Sequence, residues 1–273
     1  MNKKLAAVLS LAFAVLAFMP QHAMAASPVR LSITADSSSG IEQEIVDYIS
    51  EQFSDDPNIV ISTVNPDWYV LCHIVQNLDR MGGQIRYNGT VTVKTSDGQV
   101  VSTVSVQKYN QDFSLQSGEP FNTGAPLNKQ LVDSAAREVI NAIGERAAAK
   151  IKEAVPIELT ARDQIAQAQT LANDDKYEEA IGVLSKLSLD SVHFRDAQKN
   201  IAEFKMEKQA LELVHNAEAK AKQARYGEAI AMLKEVDSHS KRYKHARQLS
   251  ARYRNQLELA RAHAGAKSLA KNK

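Results

Sequence analysis

Lys176-Tyr177-Glu178-Glu179-Ala180-Ile181 returns as Arg225-Tyr226-Gly227-Glu228-Ala229-Ile230, at an offset of 49 residues. The echo holds at the same offset for Ala168 with Ala217, Leu184 with Leu233, Phe194 with Tyr243, and Ala197 with Ala246. From Thr160 onward alanine, leucine, glutamate, lysine and glutamine dominate, and no proline follows Pro156. That composition suits helix. A repeated helical unit more often presents a surface to other proteins than performs chemistry.

Asp175 to Ile181 resembles the core of the tetratricopeptide family, which reads Gly-Asp-Tyr-x-x-Ala-Ile. Ala168 and Ala180 fall at that family's two small positions, and Ala217 and Ala229 do so in the second copy. Small side chains there let paired helices approach, while the tyrosine and aliphatic residues fill the groove between them. The resemblance implies a repeat core of Ala168, Tyr177, Ala180, Ile181, Leu184 and Phe194. Its second copy is Ala217, Tyr226, Ala229, Ile230, Leu233 and Tyr243. Three features depart from the family: Gln164 replaces the first aromatic, Lys220 stands where the first copy has Leu171, and the closing proline is absent. A spacing of 49 instead of roughly 34 residues leaves room for one more helix per unit. Phe194, Ala197, Ile201 and Phe204 supply its apolar face in one copy, and Tyr243, Ala246, Leu249 and Tyr253 in the other.

The first half reads differently. Val29 to Ile33 alternates apolar and polar with period two, as a half-buried strand does. Ile41, Ile45, Ile49 and Phe53 recur at helical spacing. Ile59 to Val64 is a β-branched strand, and Trp68 to Val75 is apolar almost throughout, the pattern of a strand covered on both faces. Ile85–Thr95 and Val100–Gln107 flank Asp97-Gly98, a hairpin signal. A last helix from Leu127 to Ala154 is expected to close at Pro156. The order β-α-β-β-β-β-α predicts a mainly antiparallel sheet with helices on one face. The run Asp67-Trp68-Tyr69-Val70-Leu71-Cys72-His73-Ile74 leading into the hairpin resembles a family of bacterial envelope domains. That family includes the activators of penicillin-binding proteins and the curli secretion channel. The lipidation cysteine of those examples is missing here.

The fold class is therefore α+β, and the expected organisation is a signal peptide over 1–25, an α/β envelope-type domain over 26–157, tetratricopeptide-like helical repeats over 158–262, and a frayed basic tail over 263–273. Lys3 and Lys4 precede an apolar run, and Ala23-Met24-Ala25 fits the small-x-small cleavage rule. Leu5 to Met19 spans 15 residues, short of the roughly 20 of a membrane-spanning helix. These features predict a soluble periplasmic or secreted product. Net charge is +1 overall but unevenly spread. Residues 26–157 carry 10 basic and 16 acidic side chains, residues 158–240 carry 11 and 15, and residues 241–273 carry 10 and only Glu258.

Cys72 is the only cysteine, so no internal disulfide forms, and its apolar surroundings predict a buried, inert thiol. Cys72 and His73 are adjacent in a strand and so point to opposite faces, which argues against a shared metal ion. Ser37-Ser38-Ser39-Gly40 before a helix offers caps or an anion site. No nucleophile, phosphate-loop or metal-ligand spacing stands out, so no enzyme, cofactor or metal is expected. Lys241, Arg242, Lys244, Arg247, Arg252 and Arg254 form a basic segment suited to lipid A phosphates, anionic lipid or an acidic protein face. The export signal argues against nucleic acid as its partner. The leading expectation is a non-catalytic periplasmic adaptor that binds envelope proteins. The alternatives are a structural subunit of a secretion or flagellar collar and, third, a small-ligand carrier or enzyme.

Overall fold

The computed structural model describes residues 27–37, 40–79, 84–106, 109–112 and 129–271. The expected signal peptide lies outside the described residues. The chain forms two compact units, 1–163 and 164–273. The fold class is α+β, a sheet-containing unit followed by a helical one.

In the first unit, β1 (Val29–Ala35), α1 (Gly40–Glu51), β2 (Ile59–Ile61), β3 (Trp68–Asp79), β4 (Gln84–Thr95), β5 (Val100–Ser105) and β6 (Tyr109–Asp112) precede a long helix, α2 (Lys129–Asn173). The sheet order is β2-β1-β3-β4-β5, with β6 also paired to β4. β1 runs parallel to both β2 and β3, and β3 to β6 pair antiparallel, so the sheet is mixed. The strand β6 has too few apolar residues to announce itself in the sequence; its pairing with β4 defines it.

Alternation decides which face is covered. Register places Leu31 beside Trp68, Ile33 beside Val70 and Val70 beside Val93. Leu31, Trp68, Val70, Cys72, Val91 and Val93 belong to one core with Ile45 and Ile49 of α1 and Val139, Ile143, Ala147 and Ile151 of α2. Burying an aromatic or aliphatic side chain of this size contributes roughly 1.5–3 kcal/mol. Gly144 lets the two helices meet, because a Cβ there would lie 2.5 Å from Cδ1 of Tyr48. The opposite face of β3 departs from expectation. Tyr69, Leu71 and Val75 are 37, 38 and 41 % exposed, so β3 is covered on one face only among the described residues. An uninterrupted apolar run did not reveal which alternate residues face solvent.

The expected helix stop at Pro156 is also corrected: α2 continues through it to Asn173. A proline inside a helix costs about 3 kcal/mol. Buried residues on either side, Ile151, Val155 and Glu158, hold the helical register across it. The Thr160 hydroxyl donates to the Pro156 carbonyl (2.7 Å). One turn on, Arg162 bonds Glu158 (2.7 Å) and Asp67 (3.3 Å), which ties the helix beyond the proline to the start of β3. Burial raises the pKa of Asp67, but hydrogen bonds from Arg30 and the charges of Arg162 and Arg30 outweigh it, and the net shift is downward.

Gly89 is where the sheet has least room. It has φ +147°, and a Cβ there would lie 1.9 Å from the His73 carbonyl oxygen. Gly98, in the β4–β5 turn, has φ +89° with open space around it. Gly89→Ala is expected to destabilise the protein by at least about 3 kcal/mol through backbone displacement. Gly98→Ala should cost only about 1 kcal/mol from its backbone conformation. Urea midpoints of the two variants check the ordering.

Candidate protein-binding repeats

The helical unit alternates long and short helices: the end of α2, then α3 (Tyr177–Leu184), α4 (Phe194–Lys222), α5 (Tyr226–Lys234) and α6 (Tyr243–Lys271). Its turns repeat with the 49-residue period. Lys176 N–H donates to the Leu171 carbonyl and Asp175 N–H to Ala172, and Arg225 and Ala224 donate in the same way to Lys220 and Ala221. This bond pair ends a helix with one residue in the left-handed region. That residue is Asp175 (φ 64°) in one copy and Ala224 (φ 60°) in the other. At the far end of each hairpin, Phe194 N–H donates to Ser191 and Tyr243 N–H to Ser240.

The residues expected as repeat core are largely interior. Ala168, Tyr177, Ala180, Leu184, Ala217, Ala229, Ile230 and Leu233 are buried, and Ile181, Phe194, Tyr226 and Tyr243 are half-buried. The aromatic partners recur as well: the rings of Tyr177 and Phe204 lie 6.3 Å apart, and those of Tyr226 and Tyr253 lie 6.2 Å apart. These residues build the interior of the helical unit.

Two expectations change here. The additional helix per copy is not separate, because in α4 it continues without a break into the opening helix of the second copy. Lys205 to Gln209 contains no glycine or proline, and each residue is a good helix former, so nothing interrupts the helix. The expected frayed tail from 263 is helical through Lys271, since alanine and lysine propagate a helix already nucleated upstream.

A polar cluster joins the two copies. Glu207 on α4 is 5 % exposed and accepts from Ser240 Oγ (2.9 Å), the Lys241 N–H (2.7 Å) and Arg242 Nη1 (3.4 Å). Arg242 also donates to the Tyr177 hydroxyl (2.9 Å) and pairs with Asp175 (2.6 Å), and that hydroxyl donates to Asp175 (3.0 Å). Hydrogen bonding from Arg242 holds the Asp175 carboxyl below the ordinary carboxylate range against a smaller opposing effect of burial. Burial acts to lower the Arg242 pKa, but its bonds to Asp175 and Tyr177 raise it on balance. Lys241 lies over the Tyr177 ring, 5.2 Å from its centroid, and 3.7 Å from Asp175.

The basic segment is thereby divided. Lys241 and Arg242 face the acids of the first copy, and Arg242, with a side chain only 14 % exposed, is structural. Lys244, Arg247, Arg252 and Arg254 are exposed. Arg247 lies over the Tyr243 ring at 6.0 Å. Apolar matching at offset 49 passes over Glu207, yet two signals were present. Glu158 precedes it by 49 residues and is also buried, and Ser191 and Ser240 match at the same offset.

In the first unit, Glu42 occupies the comparable role. It is 1 % exposed and accepts from Ser37 N–H and Oγ (both 2.7 Å) and from Ile74 N–H (2.6 Å), just beyond the last β1–β3 pair. Burial works to raise its pKa, but these donors and the nearby His73 bring it below the usual value. The Ser37 N–H that an anion would need is thus occupied by the chain's own carboxylate; Ser38 and Ser39 lie outside the described residues. Cys72 is fully buried, as expected, and burial, then the Glu42 charge, push its thiol up to about 12. His73 lies on the other face and contacts Asp36 at 2.8 Å.

A shallow groove runs along α3 and α4, lined by Glu178, Glu179, Lys208, Leu211 and Glu212. No protein-family model matches the chain, and no curated protein does. Among solved structures it is similar to a minor lipoprotein from Acinetobacter baumannii, at 13 % identity and a TM-score of 0.31. The match covers 45 % of this chain and 92 % of that one. No helix among the described residues is long and apolar enough to cross a membrane.

Arg242→Gln is expected to destabilise the helical unit by about 2–3 kcal/mol, because it leaves Glu207 buried without its cation; the half-exposed Asp175 side contributes less. Lys220→Gln, which removes a surface pair with Glu228, should leave the midpoint unchanged. Helical circular dichroism during urea unfolding reads both. Because the folded pKa of Asp175 is depressed below that of an ordinary aspartate, its contribution is present above the unfolded value and lost as pH falls through the folded one. Stability measured from pH 5 down to about 2 should therefore fall more steeply in the wild type than in Asp175→Asn.

Proposed function

We propose that this chain is a non-catalytic periplasmic adaptor or assembly factor that holds an envelope protein on its tetratricopeptide-like repeats, with the α/β unit as a second docking body. The observation that carries the reading is the twofold recurrence, at 49 residues, of the same turn bonds, left-handed residues and aromatic pairs. Duplicated helical hairpins of this kind support binding, because their matched residues are spent on the interior and their outer faces are free to vary. The export signal read from the first 25 residues supports the compartment.

The groove along α3 and α4 is the favoured docking face. Glu178, Glu179 and Glu212 lie around one apolar side chain, Leu211, and although Lys208 pairs with Glu178 (3.1 Å) and Glu212 (4.0 Å), the rim is acidic on balance. That chemistry suits a segment with basic side chains and an apolar anchor.

A photo-reactive residue at exposed Lys176 should capture one discrete envelope protein in living cells. Capture should be lost in Glu179→Lys/Glu212→Lys while thermal stability is retained. The same capture pattern from the variant, or from a photo-reactive residue at remote, exposed Lys199, would count against the groove and the adaptor reading.

A further inference from the structure

The two cations nearest the first copy, Lys241 and Arg242, are engaged internally, and the remaining basic side chains of α6 follow a different geometry. Positions 244, 247, 251, 254, 258 and 261 form one stripe along the helix at alternating spacings of three and four. Their occupants are Lys244, Arg247, Ala251, Arg254, Glu258 and Arg261, all exposed. The buried stripe of the same helix, Ala246, Ser250 and Tyr253, lies on another side. Lys244, Arg254 and Arg261 form no ion pair among the described residues, and Arg247 is held over Tyr243. Four cations thus lie along roughly 25 Å of one straight element, with Glu258 as the only acid in the stripe.

The character of the stripe selects its partner. A protein interface draws most of its energy from desolvated aromatic or aliphatic anchors at its centre. Alanine is the largest apolar residue in this stripe. A line of well-hydrated cations without an anchor suits a flat surface of closely spaced anions, which accepts charge at any spacing along the line. We propose that this face of α6 lies against an anionic phospholipid surface, bound by Lys244, Arg247, Arg254 and Arg261 without insertion of apolar side chains. The interaction is additive in charge and strongly screened by salt.

Co-sedimentation of the full chain with vesicles of equal parts phosphatidylglycerol and phosphatidylcholine tests this. Each basic residue near such a surface is worth about fivefold in partitioning. Lys244→Gln/Arg247→Gln/Arg254→Gln/Arg261→Gln is expected to lose binding by about 600-fold. Glu258→Gln, which removes the opposing charge, should gain about fivefold. Binding should vanish on phosphatidylcholine alone and weaken sharply with added salt. Equal binding to both vesicle types would overturn the proposal, as would wild-type affinity in both variants. Tight binding to polyglutamate without binding to the vesicles would also overturn it, and would assign the stripe to an acidic protein. None of these outcomes depends on the groove of α3 and α4, so failure here and failure of the adaptor reading are separable.

Discussion

A carboxylate enclosed by protein must be supplied with donors, and Glu207 obtains three from a single loop. Ser240, the Lys241 amide and Arg242 all converge on it. The loop that starts α6 is thereby fixed to the middle of α4. Through Arg242 the same cluster reaches back to Asp175 and Tyr177 at the start of the first hairpin. Removing one member of such a network strands the others in a poorly solvated site, which is why its components act as a unit. The alanines of the repeat let helices approach, but they do not set how far along one another the helices slide. Directional polar bonds do.

This arrangement gives the charge gradient a second meaning. An acidic body followed by a basic end looks, in sequence, like a segregation directed at outside partners. Part of it is internal, since the first two cations of the basic segment face Asp175 of the preceding copy and Arg242 also pairs with Glu207. Glu42 follows the same logic in the sheet unit. Its carboxylate takes the Ile74 amide where the β1–β3 pairing stops, so a strand end that would otherwise present an unsatisfied donor is closed by the neighbouring helix.

The sequence was informative where the physics is periodic. Alternation located β1, helical spacing located α1, and Asp97-Gly98 located the β4–β5 turn, because each depends on contacts only a few residues apart. The repeat was legible because its small and aromatic positions recur. Pro156 misled because a local rule was outweighed by burial at Ile151 and Val155. The continuity of α4 went unread because nothing in sequence marks where one unit should hand over to the next. The solvent-facing side of β3 was hidden by apolar residues on both parities. Of the candidate site, the exposed half of the basic segment was visible as charge. The buried role of Arg242 was not, since it depends on Asp175, 67 residues earlier, and Glu207, 35 residues earlier.

The left-handed turn residue and the buried glutamate have counterparts 49 residues later, and there the chemistry changes. Asp175 becomes Ala224, and Glu207 becomes Gln256. A further hairpin docked as the second docks on the first would bring its arginine to a socket without a carboxylate, and the guanidinium would lose water with no anion in return. The stack therefore has a receptive, anionic step where the second hairpin docks on the first, and the matching positions of the second copy offer only a neutral one.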